Sequence, residues 1–163
     1  MLVARMETVR IIVAIATQWK WKVYQMDVKS TFLNGVLKEE VYVAQTPNYE
    51  VEVQEDKVYQ LRKDIYGLKQ GLGAWYSKID AYLLDNGFDK CDVEPTFNIK
   101  ESNGKIIIIV LYVDYFIFIG VDDFLVTNFK EVMKSEFEMT DLGLLRYFLG
   151  IEVKQTENGI FIS

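Results

Sequence analysis

The chain has 163 residues, half of them hydrophobic and 14% aromatic, which is enough for one domain with a real core and excludes a disordered segment. Its net charge of −6 is the wrong sign for a free-standing nucleic-acid binder. With no histidine and one cysteine, Cys91, it has no Cys/His zinc spacing, no Ser-His or Cys-His nucleophile pair and no internal disulfide. Any metal chemistry falls to oxygen ligands, which favour magnesium, manganese or calcium.

In chain order, residues 5–19 place Val9, Ile12, Ala16 and Trp19 on one helical face, with Ile11 and Ile15 beside it. Residues 21–28 read as a strand that delivers Asp27 near its end. Asn34-Gly35 signals a turn, and residues 41–43 and 58–61 read as short strands around a polar loop containing Pro47. Over residues 73–86, Trp75, Ile79, Tyr82 and Leu83 form a helical stripe that Asn86-Gly87 stops. Residues 96–100 and 105–112 flank Ser102-Asn103-Gly104 as a hairpin, and residues 115–119 continue as a strand. A helix capped by Asp122 or Asp123 follows, with Leu125, Phe129, Val132, Met133 and Phe137 inward. Residues 146–154 and 160–162 close as a hairpin through Asn158-Gly159.

This order predicts a single α+β domain over residues 1–163. Its sheet is a split βαβ (ferredoxin-like), mostly antiparallel arrangement, with helices packed on one face and the other face open. The apolar run over residues 106–121 is shorter than the ~20 residues of a membrane span and is interrupted by Asp114. No signal peptide is evident, so the chain reads as soluble and intracellular.

Asp114 lies inside that apolar run, where an unpartnered carboxylate would cost several kcal/mol. Two readings stand: a β-turn between apolar strands, or a metal ligand. If the strands ending at Asp27 and Asp114 lie side by side, their two carboxylates meet at one rim. A pair of divalent ions ~3.5–4 Å apart needs such a rim for in-line phosphoryl transfer.

The wording of the chain adds to this. Met6-Glu7-Thr8-Val9-Arg10, Tyr24-Gln25-Met26-Asp27-Val28-Lys29-Ser30-Thr31-Phe32-Leu33-Asn34-Gly35 and Glu40-Val41-Tyr42-Val43 closely resemble the reverse transcriptase of copia-type LTR retrotransposons. So do Ile65-Tyr66-Gly67-Leu68-Lys69-Gln70, Ala74-Trp75-Tyr76, Leu111-Tyr112-Val113-Asp114, Phe137-Glu138-Met139-Thr140-Asp141-Leu142-Gly143 and Tyr147-Phe148-Leu149-Gly150-Ile151-Glu152-Val153. The resemblance spans nearly the whole chain in the family's order and implies a polymerase palm. It implies Asp27 and Asp114 as catalytic aspartates that hold two magnesium (or manganese) ions, with the Val28 carbonyl as a further ligand. It implies Phe32 as the ring that excludes a 2′-OH. Gly67, Lys69 and Gln70 would meet the incoming nucleotide and template, and Leu149-Gly150 would grip the primer. Implied partners are template-primer, deoxynucleotides and the fingers, RNase H and integrase parts of a Pol polyprotein, in a cytoplasmic virus-like particle or the nucleus.

The chain departs from the pattern in three places. Tyr115 stands where the family has a second adjacent aspartate. A carboxylate ~5 Å from a divalent ion at an effective dielectric of ~20 is worth on the order of 6 kcal/mol before desolvation, so impaired catalysis is expected. Gly71-Leu72-Gly73 replaces Ala-Pro-Arg, removing a helix-starting proline and a cation. The basic fingers segment before the palm and the thumb and RNase H regions after it are expected to lie outside the chain. Rival readings are a non-catalytic palm remnant that binds nucleic acid or protein, and a ferredoxin-like domain with an unrelated role.

Overall fold

A computed structural model describes residues 4–29, 36–45, 57–63 and 69–163. The chain divides into two compact units, residues 1–29 with 81–163 and residues 30–80. Asn34-Gly35, Pro47, Phe32 and Gly67 lie outside the described residues.

The larger unit opens with helix α1 (Met6–Trp19), which buries Thr8, Val9, Ile12, Val13 and Ala16. Thr8 Oγ1 accepts a hydrogen bond from the Arg5 N–H (3.2 Å), satisfying one donor at the helix start. The helix ends in a Schellman turn, with Lys20 at φ +57° and the Trp21 and Lys20 N–H groups donating to the Ala16 and Thr17 carbonyls. Trp19, expected on the inner face, is instead 48% exposed, and Ile11 also faces out. The stripe that packs runs through Thr8 and Val13.

Strand β1 (Val23–Val28) follows. In the smaller unit, β2 (Val36–Val43) and β3 (Tyr59–Lys63) pair antiparallel, and α2 (Lys69–Asp85) begins there. The helix starts four residues earlier than its apolar stripe predicts and runs through Gly71 and Gly73. Trp75, Ile79 and Leu83 are buried, and Gly87 at φ +82° stops the helix as expected.

Then come β4 (Asp89–Lys90), β5 (Phe97–Ser102), β6 (Lys105–Tyr112), β7 (Tyr115–Gly120), helix α3 (Asp123–Glu136) and β8 (Met139–Leu144). Last are β9 (Tyr147–Phe148), β10 (Ile151–Thr156) and β11 (Gly159–Ile162). The main sheet has the order β4-β5-β6-β7-β1-β8 with every neighbouring pair antiparallel. The expected α+β class with a mostly antiparallel sheet is therefore present. A second sheet, β11-β10-β9, holds the hairpin turn predicted at Asn158-Gly159, but the arm expected over residues 146–154 is split into β9 and β10 by a turn at Leu149 and Gly150, both at positive φ.

One expectation is overturned. Helices α1 and α3 do not share a face. Alternate residues of β7 point to opposite sides: Ile117 and Ile119 pack with Ile12 and Val13 of α1, whereas the Phe118 ring meets Phe129 of α3 edge-on at 4.9 Å. The β9–β11 sheet contributes Phe148 and Val153 to the α1 side, so both faces are covered. The continuous apolar run of β6, Ile106 to Leu111, is what a strand buried on both faces requires.

Helix α3 is capped by Asp122, whose Oδ1 accepts from the Leu125 N–H at 2.7 Å. It buries Val126, Phe129 and Met133, and Phe137 follows. Val132, expected inside, is exposed, and Leu125 is only half-buried. A Cβ on Gly120 would come within 2.9 Å of Val126 Cγ2, so glycine lets α3 approach β7 closely. Strand β8 was not expected: Thr140, Asp141 and Gly143 gave it little strand character.

Candidate active site

The site is built by two strand ends. Hairpin β6–β7 turns through Val113 and Asp114, with Tyr112 and Tyr115 as the last paired residues. β1 lies antiparallel beside β7, and its register sets Asp27 directly opposite Tyr115. The Val28 N–H donates to the Asp114 carbonyl at 2.8 Å, tying the turn to the end of β1. On its other side, Asp27 pairs with Thr140 of β8.

Residues opposite one another in a sheet share a face. Thr140, Asp27, Tyr115 and Tyr112 thus form a row across four strands at one end of the sheet, on the side that carries α1. The row continues into the second sheet: the Tyr112 and Phe148 rings meet edge-on at 4.9 Å. Phe148 precedes Leu149 and Gly150, whose φ values of +48° and +79° make the tight turn between β9 and β10. The turn proposed from sequence for the primer is therefore anchored to the hairpin carrying Asp114, and Leu149 is exposed at its tip.

The electrostatics agree with close approach of the two acids. Desolvation, then the charge of Asp114, pushes the Asp27 carboxyl up from its ordinary value, and Lys29 pulls it partly back. Burial and the charges of Asp114 and Asp27 likewise raise the Tyr115 phenol. Tyr115 therefore adds an oxygen to the rim without adding negative charge. Val113 takes φ +54°, an outlier for a β-branched residue and a place where strain is stored.

Two neighbouring carboxylates and the nearby Val28 backbone suit an oxygen-preferring divalent ion. They fall one acid short of a richer set. Among the described residues no group of three or more His, Cys, Asp or Glu could hold a metal. The structure thus brings together Asp27, Val28, Asp114 and Tyr115, with Leu149 and Gly150 linked through Phe148. Lys69 and Gln70 lie in the first turn of α2, with side chains outside the described residues, as are Phe32 and Gly67 entirely. Sequence reasoning missed the bordering residues Thr140 and Phe148. The strand carrying Thr140 was not foreseen, and Phe148 reads as ordinary core.

These features define an α+β domain with a two-carboxylate centre at a hairpin turn. The chain belongs to the reverse transcriptase (RNA-dependent DNA polymerase) family, whose model matches residues 1–163. It is 34% identical to the retrovirus-related Pol polyprotein from transposon RE2 of Arabidopsis thaliana over 161 residues, 99% of this chain and 11% of that protein. The RE1 polyprotein of the same plant is 33% identical, again over 99% of this chain and 11% of its own length. The Pol polyprotein from transposon TNT 1-94 of Nicotiana tabacum is 34% identical over 99% of this chain and 12% of its own length. The chain therefore spans about a ninth of the length of each of these three relatives, and its kinship is with copia-type Pol polyproteins. No solved structure matches it significantly.

Proposed function

We propose that this chain is the palm of an RNA-directed DNA polymerase, built on a split βαβ core, and that this copy is catalytically impaired. The reaction is template-directed addition of deoxynucleotides to a primer 3′-OH on RNA or DNA. The observation that carries the reading is the convergence of Asp27 and Asp114 at one end of the sheet, in a chain of this family. Two magnesium (or manganese) ions, when bound, supply the charge that activates the 3′-OH and stabilises the leaving pyrophosphate. Asp27, Asp114 and the Val28 carbonyl would hold them. Leu149-Gly150 would steady the primer end, and Phe32, Gly67, Lys69 and Gln70 would serve the nucleotide and template.

The impairment comes from Tyr115. Its phenol, raised above its ordinary value near 10, stays neutral at pH 7. Losing even a third of the ~6 kcal/mol that a second carboxylate could contribute slows the reaction more than tenfold. In the parent protein, fingers, RNase H and integrase parts of a Pol polyprotein would complete the enzyme, inside the cell. No described helix is long and apolar enough to cross a membrane.

Tyr115 also favours a second reading, a palm remnant that binds nucleic acid or protein without catalysis. Primer extension on an RNA template with magnesium or manganese separates the outcomes. Weak incorporation that falls further with Asp27→Asn supports an impaired polymerase, and robust incorporation refutes the impairment. Metal-independent binding with no extension under any condition favours the remnant.

A further inference from the structure

Just before β1, Trp19-Lys20-Trp21-Lys22 alternates two indoles with two ammonium groups, in a chain whose net charge is −6. The Trp19 and Trp21 rings lie 4.7 Å apart at 58°, so the half-exposed Trp19 braces Trp21. Lys20, Trp21 and Lys22 line one side of a cavity of about 420 Å³, faced by Gln155, Glu157 and Asn158.

The wall is fixed. The Gln155 amide accepts from the Val23 N–H (2.9 Å) and donates to the Val23 and Leu145 carbonyls (2.8 and 3.0 Å). Both lysines are exposed, and no ion pair among the described residues engages either. Lys20 occupies the left-handed position after α1, where glycine is the usual residue, so backbone geometry does not account for its side chain.

An indole between two ammonium groups suits a ligand with a flat π face and flanking negative charge, which is a base with its neighbouring phosphates. An apolar peptide would leave the ammonium groups uncompensated, and an acidic peptide would leave the indole unused. Trp21, two residues before β1, and Asp27, near its end, are six positions apart, roughly 20 Å at the usual strand rise, so the cavity lies at the other end of β1 from the carboxylates.

We infer that this cavity binds single-stranded nucleic acid, with one base stacked on Trp21 and adjoining phosphates on Lys20 and Lys22, apart from the carboxylate centre. Glu157, on the facing wall, opposes the phosphates and holds the affinity down. The inference rests on the chemistry of the cavity, so the polymerase reading can fail without it.

The test is a titration of the full chain with oligothymidylate in EDTA, read by tryptophan fluorescence. Trp75 is fully buried, so quenching reports Trp19 and Trp21. Quenching is expected, with Kd rising about seven-fold between about 50 and about 200 mM salt for two phosphate contacts at ~0.7 each. Lys20→Gly with Lys22→Gln keeps the helix end intact and should abolish that salt dependence. Lys90→Gln with Lys134→Gln, both exposed and outside the cavity lining, should preserve it, and Glu157→Gln should tighten binding. Absence of quenching, quenching indifferent to salt, or equal losses from both lysine pairs would overturn the inference. Because no metal is present, each of these outcomes leaves the primer-extension result standing.

Discussion

The two ends of β6 solve the same geometric problem with different residues. At one end the chain reverses through Asn103 and Gly104, at φ +54° and +74°. Both tolerate the left-handed region, and Asn-Gly is the preferred pair for such a hairpin. At the other end the chain reverses through Val113 and Asp114, and Val113 takes φ +54° with a branched Cβ. The first turn follows local preference, while the second violates it beside the neighbouring carboxylates of Asp27 and Asp114. Local rules broken in one place and kept in the other mark where something besides folding sets the residue.

The largest expected effect tests what the second turn is for. Tyr115→Asp should raise primer extension at least tenfold, on the order of 2 kcal/mol in the barrier. The added carboxylate falls opposite Asp27 in the register of β1 and β7. Unchanged extension would show that Tyr115 was not the limiting defect.

Exchanging the chemistry of the two turns comes next. Val113→Asn should stabilise the chain by about 1 kcal/mol, and Asn103→Val should destabilise it by about 1–2 kcal/mol. The thermal midpoint should move by roughly 2–4 °C per kcal/mol in opposite directions. If both variants shifted it the same way, the strain assigned to Val113 would be wrong.

The legible parts of the molecule were those coded over a few residues. Asn86-Gly87, Asn103-Gly104 and Asn158-Gly159 carry turn chemistry in the dipeptide itself, and each marks an observed element end. Asp122 likewise announces its helix. Tertiary placement was harder to read. Strand β8 hides because Leu142 and Gly143 bulge between the paired Asp141 and Leu144, with Gly143 at φ +72° and its N–H donating to Asp141 Oδ1 (2.8 Å). The covered second face of the sheet was written in the unbroken apolar runs of β6 and β7, which alternation would have interrupted had one side met water. Trp19 continues the apolar period of α1 yet lies at its last residue, where the chain turns away. For the candidate site, the meeting of Asp27 and Asp114 was legible. Its border at Thr140 and Phe148 was not, because each depends on a strand pairing or sheet contact distant in sequence.

The bulge offers a smaller test of the same contrast, because Asp141 and Gly143 follow turn preference as Asn103 and Gly104 do. Burial alone would raise the Asp141 carboxyl. The Gly143 N–H, Lys130 (3.1 Å away) and Lys134 outweigh burial and bring it below its ordinary value. A carboxyl depressed in the folded state contributes stability above its unfolded value near 4 and loses it as pH falls through the lower folded value. Asp141→Asn should therefore cost about 1 kcal/mol at pH 7, discounted for partial exposure. Below about pH 4 the gap from the parent chain should close. A gap that persisted in acid would assign the loss to packing rather than charge.

The smallest effect concerns a rule broken with no visible geometric reason. Gly73 lies within α2, its φ is not left-handed, and a Cβ built there meets nothing within 4 Å. Glycine inside a helix costs roughly 0.5–1 kcal/mol relative to alanine, through the freedom it loses on folding. Gly73→Ala should return that amount, read as a higher denaturation midpoint with an unchanged slope. Val113 and Gly73 both oppose local preference, and Val113 is the neighbour of Asp114 in its turn. If the added methyl destabilised α2, Gly73 would be answering to a close neighbour in the folded chain. The break at Gly73 would then have the same kind of cause as the break at Val113.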